Sequence, residues 1–206
     1  MTNWFEPLYR AAERGEGQIP WHRGAPQKLV EEWARGRDGT GRRALVVGSG
    51  TGDDAELVAG LGYATVAFDI AETAVRITRR RFPESGVDYR VADLLDPPAE
   101  WGQAFDLVVE SITVQSMPIE LRATAIAGVS GFVAPGGTLI VYSGIRGDGE
   151  EVDGPPWPLT RAEVESFATG GLETVRIDRP EVAPGEPRWL AEFRRPAEPA
   201  RGAGTG

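Results

Sequence analysis

Five small residues, Gly48-Ser49-Gly50-Thr51-Gly52, follow the apolar run Ala44-Leu45-Val46-Val47 and precede an amphipathic stretch. A strand, a glycine turn and a helix in that order let a ligand approach the backbone closely. The third glycine of a dinucleotide-binding turn would fall at position 53, where the chain has Asp53, with Asp54 next to it. A pyrophosphate at that helix start would face two carboxylates. A ligand with an adenosine moiety, no phosphate, a sulfonium and an ammonium is attracted by them instead. Asp69 stands 19 residues beyond Gly50 and closes a second apolar run. An acid in that place accepts hydrogen bonds from both hydroxyls of a ribose, and it also suits the start of the helix that follows. Asp93 closes a third run, where it can receive the exocyclic amine of adenine or begin an Asx turn. Glu110 ends a fourth run beside the point at which open α/β sheets bind ligands. His22 is the only histidine. Its ring titrates near neutrality, so it is the candidate general base for an acceptor that needs one, against a structural role beside Trp21.

Composition removes several other chemistries. The chain has 206 residues and no cysteine, so it has no disulfide framework, thiolate nucleophile or Cys-ligated metal. One histidine leaves no His-rich zinc site, and Lys28 is the single lysine, with nothing around it to suggest Schiff-base chemistry. Twenty-two basic against thirty-one acidic side chains give a formal net charge of -9, which repels phosphate backbones and argues against nucleic acid as a partner. The densest basic cluster, Arg79-Arg80-Arg81, reads as the last turn of a helix, where cations face the negative dipole end. No apolar run is long enough to span a bilayer, and Met1 to Pro7 has no basic patch followed by an apolar segment. The expectation is a cytoplasmic protein without membrane contact, a monomer or a weak homodimer.

These residues need elements to hold them. Short apolar runs alternate with amphipathic stretches, the pattern of an α/β domain with a mainly parallel sheet. Strands are expected at Ala44–Val47, Ala64–Phe68, Tyr89–Ala92, Phe105–Val109 and Thr138–Tyr142, and two more at Leu172–Ile177 and Arg188–Arg194. Pro118 should open a helix with the stripe Leu121, Ala125, Val129 and Phe132, which Pro135-Gly136-Gly137 stops. Ser143 to Pro158 is a long loop rich in Gly, Pro and acid, suited to a lid or binding loop. Thr160-Arg161-Ala162-Glu163 reads as a capping box, stapled by Leu159 and Val164, for a helix ending at Gly170-Gly171. Two amphipathic helices, near Trp4–Arg14 and Pro26–Arg35, precede the alternating pattern and can cap the sheet. The organisation expected is one domain over residues 1–195, with a helical cap at 1–36, a core at 43–195, and a disordered tail at 196–206.

Taken together, Val46-Val47-Gly48-Ser49-Gly50-Thr51-Gly52, Phe68-Asp69-Ile70, Val91-Ala92-Asp93-Leu94, Phe105-Asp106-Leu107-Val108-Val109-Glu110 and Pro135-Gly136-Gly137-Thr138-Leu139 resemble the ordered motifs of class I S-adenosylmethionine-dependent methyltransferases. The resemblance covers roughly Arg43 to Arg195. It implies a Rossmann-like sheet of seven strands, the last antiparallel, flanked by helices. It implies S-adenosyl-L-methionine as cofactor and S-adenosyl-L-homocysteine as product, held by Gly48, Ser49, Gly50, Gly52, Asp69, Ile70, Asp93, Leu94 and Glu110. A narrower similarity joins Ile19-Pro20-Trp21-His22-Arg23-Gly24-Ala25-Pro26 and Asp153-Gly154-Pro155-Pro156-Trp157 to the thiopurine and halide/thiol methyltransferases. In that group the amino-terminal segment closes over the cofactor, so Trp21 is its expected aromatic contact. Two positions depart from the group: His22 replaces its Asp, and Ser111 replaces an aromatic.

The resemblance implies in-line methyl transfer to the sulfur, oxygen or nitrogen of a small molecule, with His22 and Glu110 as candidate catalytic groups. A thiolate, halide or amine needs no general base, whereas a hydroxyl does. Trp4, Phe5, Trp21, Gln115, Met117 and the Pro155-Pro156-Trp157 loop are the expected walls of the acceptor pocket. The alternatives are a non-catalytic binder of the same cofactor and an NAD(P)-dependent oxidoreductase.

Overall fold

The computed structural model describes residues 4–197, so most of the expected tail at 196–206 lies outside the described residues. The central apolar runs become strands because both faces of the sheet are covered there, and parallel strands covered on both sides read as nearly unbroken apolar segments, whereas the edge strands at 88–91 and 173–178 are largely exposed. In chain order the strands are β1 (Arg43–Val47), β2 (Ala64–Asp69), β3 (Asp88–Val91), β4 (Phe105–Ser111), β5 (Val133–Ser143), β6 (Glu173–Asp178) and β7 (Trp189–Arg194). They form one seven-stranded sheet in the order β3-β2-β1-β4-β5-β7-β6. Strands β1 to β5 pair in parallel, and β7 runs antiparallel to both β5 and β6.

Alternation within β1 divides the core. Leu45 and Val47 point to a layer with Phe68, Trp101, Phe105, Phe132 and the helix α5 (Ile119–Gly131). Ala44 and Val46 point to the other layer, under α2 (Lys28–Ala34) and α3 (Asp53–Gly60). The remaining helices are α1 (Phe5–Glu13), α4 (Glu72–Arg81) and the short α6 (Arg161–Glu165). Among the described residues, no helix is long and apolar enough to cross a membrane.

The amino-terminal cap docks on α4 through ion pairs and an aromatic cluster. Glu6 accepts from the Thr73 N–H and hydroxyl, and Glu13 binds Arg76 and Arg80. Trp21 lies among Trp4, Phe5 and Tyr9, with ring centroids 5.7–6.0 Å away. The three consecutive arginines do fall in the last turn of α4, but they act as ties. Arg79 donates to the Tyr89 carbonyl, Arg80 pairs with Glu13, and Arg81 grips Asp53 with two bonds of 2.6 Å.

Two expected boundaries are different in the structure. Pro135-Gly136-Gly137 does not separate α5 from the fifth strand, because β5 already starts at Val133. The pairing jumps from Phe105↔Val133 to Leu107↔Thr138, so the segment is a bulge within the strand. It stays in the sheet because the Gly136 N–H and the Gly137 carbonyl both bond the backbone of Arg195. The helix begun by Thr160 ends at Glu165, well before Gly170-Gly171, although its capping box forms as expected.

Candidate functional site

Strands β1, β2, β3 and β4 deliver their carboxyl ends to one edge of the sheet, where the order reverses between β1 and β4. The crevice at such a reversal is where open α/β sheets bind ligands. An inner cavity opens there, lined by Gly48, Ser49 and Gly50 after β1, Asp69 and Ile70 after β2, and Asp93 and Leu94 after β3. Trp21 closes it from the cap, its indole N–H donating to the Tyr9 hydroxyl at 2.8 Å.

The glycine turn is set by sterics. Gly48 has φ +60°, and a Cβ there would sit 2.2 Å from the Thr113 hydroxyl oxygen. Beside it, the Ser49 hydroxyl is buried without a hydrogen-bond partner among the described residues, which is costly in a folded chain unless a ligand uses it. Asp69 is 7% exposed and accepts from the Gly50 N–H at 3.0 Å and the Ala71 N–H at 2.9 Å. Burial pushes its carboxyl up to about 6, although those N–H groups pull the other way. Asp93 is half-buried and accepts from the Leu95 N–H at 2.9 Å, completing an Asx turn.

Asp53 and Asp54 also line this cavity, with opposite electrostatics. Burial raises Asp53, but bonds from Arg81 and Thr51 outweigh it and hold the carboxyl below its ordinary range. Burial dominates at Asp54 and raises it, even though the Gln27 N–H and the Ser111 hydroxyl bond to it. A buried, unsatisfied serine hydroxyl, two strand-end carboxylates and a glycine, Gly48, that no Cβ could replace are a set that fits an adenosyl amino acid.

Three of the residues named from sequence stand elsewhere. Gly52 does not line the cavity. Its φ is +91°, and a Cβ would meet Thr78 Cγ2 at 2.5 Å and the Tyr89 hydroxyl at 2.9 Å, so glycine there lets α3 pack on α4 and β3. Glu110 is fully buried and faces neither cavity. Its Oε1 accepts from the Val114 N–H at 2.9 Å and its Oε2 has no partner among the described residues. Burial pushes this carboxyl up to about 7 against the bonds from Val114 and Thr113. The side chain therefore supports the 3-10 turn Val114–Ser116 from beneath. His22 is outside both linings, with its ring 42% exposed and Nδ1 3.0 Å from the Thr51 hydroxyl. Since Thr51 donates to Asp53 at 3.0 Å, the hydroxyl oxygen accepts from His22, and the ring fastens the cap to the glycine turn.

An outer groove of about 920 Å³ adjoins the inner cavity. Trp21, Gln27, Ile112 and Ser116 line both spaces and so form the seam between them. Of the expected acceptor walls, Trp4, Trp21, Gln115, Pro155 and Pro156 line the groove, while Phe5 and Met117 line the inner cavity instead. Trp157 lines neither, because its N–H donates to the Gln115 carbonyl at 2.7 Å and its own carbonyl accepts from Arg122.

Sequence reasoning did not single out Ile112. It has φ +66°, an uncommon conformation for a β-branched residue, kept at a cost of about 1–3 kcal/mol by the packing around it. Nothing in the local sequence signals that strain. Arg23, Arg179 and Arg188 were missed as well; they reach the groove from three separate segments.

The methyltransferase domain family matches residues 44–137. A 2-heptyl-1-hydroxyquinolin-4(1H)-one methyltransferase of Mycobacteroides abscessus is 28% identical over 179 residues, 82% of this chain and 76% of that protein. A probable thiol methyltransferase of Arabidopsis thaliana is 26% identical over 182 residues, 87% of this chain and 80% of that one. Among solved structures, the N-methyltransferase NodS of Bradyrhizobium japonicum, in complex with S-adenosylhomocysteine, superposes with a TM-score of 0.70. That match covers 92% of this chain and 98% of NodS at 21% identity, and so concerns the fold.

Proposed function

We propose that this chain, a class I methyltransferase that uses S-adenosylmethionine, transfers the methyl group to a small, largely apolar acceptor seated in the outer groove. The observation that carries the reading is the seam. A cavity fitted to an adenosyl amino acid and a groove of small-molecule size share Trp21, Gln27, Ile112 and Ser116, so two reactants would meet there. When bound, the cofactor supplies an electrophilic methyl group on a sulfonium.

The chain's own residues bind and align. Asp69 accepts the ribose hydroxyls, Asp93 the adenine amine, and the Gly48–Gly50 backbone with the Ser49 hydroxyl holds the amino-acid end. Ile70 and Leu94, which line the same cavity, would lie beside the adenine, and Trp21 would cover the cofactor from the cap. Asp53 and Asp54 add negative charge toward a cationic ligand. Holding two reactants in line removes much of the barrier to a displacement.

None of the four side chains at the seam titrates near neutrality, and neither His22 nor Glu110 faces it. That favours an acceptor needing no general base, such as a thiol or an acidic N- or O-hydroxyl that arrives ionised. The names of the two relatives, one a hydroxyquinolinone methyltransferase and one a thiol methyltransferase, support the same range. Within the class, the Pro-Trp segment and the Pro155-Pro156 loop favour the thiopurine and halide/thiol group.

Calorimetric titration with S-adenosylhomocysteine, with NADH as control, tests the cofactor. A heat with the adduct alone is expected, and an excess of 100 times the dissociation constant should raise stability by about 2.7 kcal/mol. Silence from the adduct, or a heat from NADH, would overturn the assignment.

A further inference from the structure

The protein is strongly acidic, yet the outer groove is not. Its walls carry three guanidiniums, Arg23, Arg179 and Arg188, against two carboxylates, Glu150 and Glu186. Neither carboxylate neutralises the arginines closely. Glu150 turns back on its own loop, accepting from the Gly147 N–H at 2.7 Å. Glu186 is 59% exposed and no nearer than 3.7 Å to Arg188. Arg23 engages no carboxylate among the described residues, and Arg179 lies over the Trp189 ring at 5.3 Å. Of the three, only Arg188 has an acid within ion-pair range among the described residues, the exposed Glu186, so in a chain with a net charge of -9 this wall carries more guanidinium than carboxylate.

Arg188 and Arg23 share the groove with one phenol. Tyr142, at the end of β5, lines the same groove, and both guanidinium charges act on its phenol. Burial nevertheless leads and keeps the phenol above its ordinary range, so it stays a hydrogen-bond donor. Arg188 donates to the Pro187 carbonyl at 3.0 Å, whereas Arg23 makes no side-chain hydrogen bond among the described residues. In the same groove, Trp4, Trp21 and Pro155 supply flat apolar surface.

We propose that the methyl acceptor is an anion: an aromatic molecule bearing a carboxylate that Arg188 and Arg23 hold beside Tyr142, with its ring against the apolar groove surface of Trp4, Trp21 and Pro155. The planar guanidinium fork matches a carboxylate in shape and charge. The carboxylate is the handle, and the rest of the molecule reaches toward the seam at Ile112 and Ser116. This inference rests on the methyltransferase reading, because it assumes that the groove holds the acceptor.

The test separates the two. Protein saturated with S-adenosylhomocysteine is titrated with 2-naphthoate and with its neutral counterpart 2-naphthamide, in low salt. The naphthoate should bind at least tenfold more tightly. In the R23Q/R188Q variant its affinity should fall to that of the naphthamide, while the adduct's affinity is unchanged, which also reports that the variant is folded. Equal affinity for the two probes, a preference that survives in the variant, or no binding of naphthoate would each overturn the anion proposal. Failure of the methyltransferase reading shows separately, as loss of adduct binding in the wild-type protein.

Discussion

Replacing Asp69 by Asn probes the inner cavity most sharply, because this side chain carries a stability cost and a binding role of opposite sign. Burial raises its carboxyl from 3.8 to about 6. An acid whose folded value lies above its unfolded one contributes stability that is fully present below 3.8 and is lost as pH rises through about 6. At about 1.4 kcal/mol per pH unit, the loss is about 0.5 kcal/mol at pH 4 and about 3 kcal/mol at pH 8. Asn does not titrate, so it escapes that loss. Its amide N–H₂ turns toward one of the two backbone donors, Gly50 or Ala71, as the O–H of the protonated acid does at pH 4, so both side chains forfeit the same buried bond there. The ligand-free variant should therefore be close to the wild-type protein in stability at pH 4, and the more stable of the two at pH 8. The gap between the two proteins should move by about 2.5 kcal/mol across that range, whatever the lost bond costs.

Urea unfolding of both proteins at several pH values measures that movement, and titration with S-adenosylhomocysteine at pH 8 measures binding. A carboxylate bond to a hydroxyl contributes about 1.5–3 kcal/mol, so affinity should fall at least tenfold. Parallel stability curves for the two proteins would refute the raised carboxyl. Undiminished affinity would refute the ribose assignment.

Three further outcomes follow from the same geometry. Gly52→Ala should cost about 2–4 kcal/mol by urea unfolding, since its Cβ overlaps Thr78 Cγ2; adding Thr78→Ser should recover part of this, with adduct affinity within threefold of wild type. Arg122→Met should cost about 3–5 kcal/mol, because the buried guanidinium pairs with Glu163 and bonds the carbonyls of Gln115, Met117 and Trp157; a cost under 1 kcal/mol in the same assay would refute that role for Arg122. His22→Gln should leave kcat within about threefold, whereas loss of the roughly hundredfold typical of a general base would return His22 to the chemistry.

The strand ends were readable because apolar runs of strand length finish on acids, and pairing in register puts Asp69, Asp93 and the glycine turn on one edge. What escaped reading depends on contacts between distant segments. Gly52 looks like part of a ligand-binding turn until Thr78 and Tyr89, from α4 and β3, fill the space beside it. Glu110 occupies the register position of a ligand contact, opposite Val47, yet its side chain turns under Val114. Pro135-Gly136-Gly137 has the composition of a stop, and only the distant backbone of Arg195 makes it part of a strand. Arg23, Arg179 and Arg188 belong to the cap, the end of β6 and the approach to β7, so no local pattern announces that they share a wall.

The placement of charge then gives the two spaces different preferences. The inner cavity is lined by Asp53, Asp54, Asp69 and Asp93, and favours a cation. The outer groove has an excess of guanidinium and favours an anion. The seam between them, Trp21, Gln27, Ile112 and Ser116, carries no charge at all. A sulfonium and an electron-rich acceptor lose charge separation as a methyl group passes between them, so their transition state needs less solvation than the reactants do. An uncharged seam that excludes water hinders such a reaction least, provided that the charges holding the reactants lie at its far ends. On the proposed reading, the acids anchor one reactant, the arginines anchor the other, and the strained backbone of Ile112 holds the uncharged surface between them. A charge introduced at the seam, as in Ile112→Asp, should therefore slow turnover more than it weakens adduct binding, which single-turnover kinetics beside calorimetry would resolve.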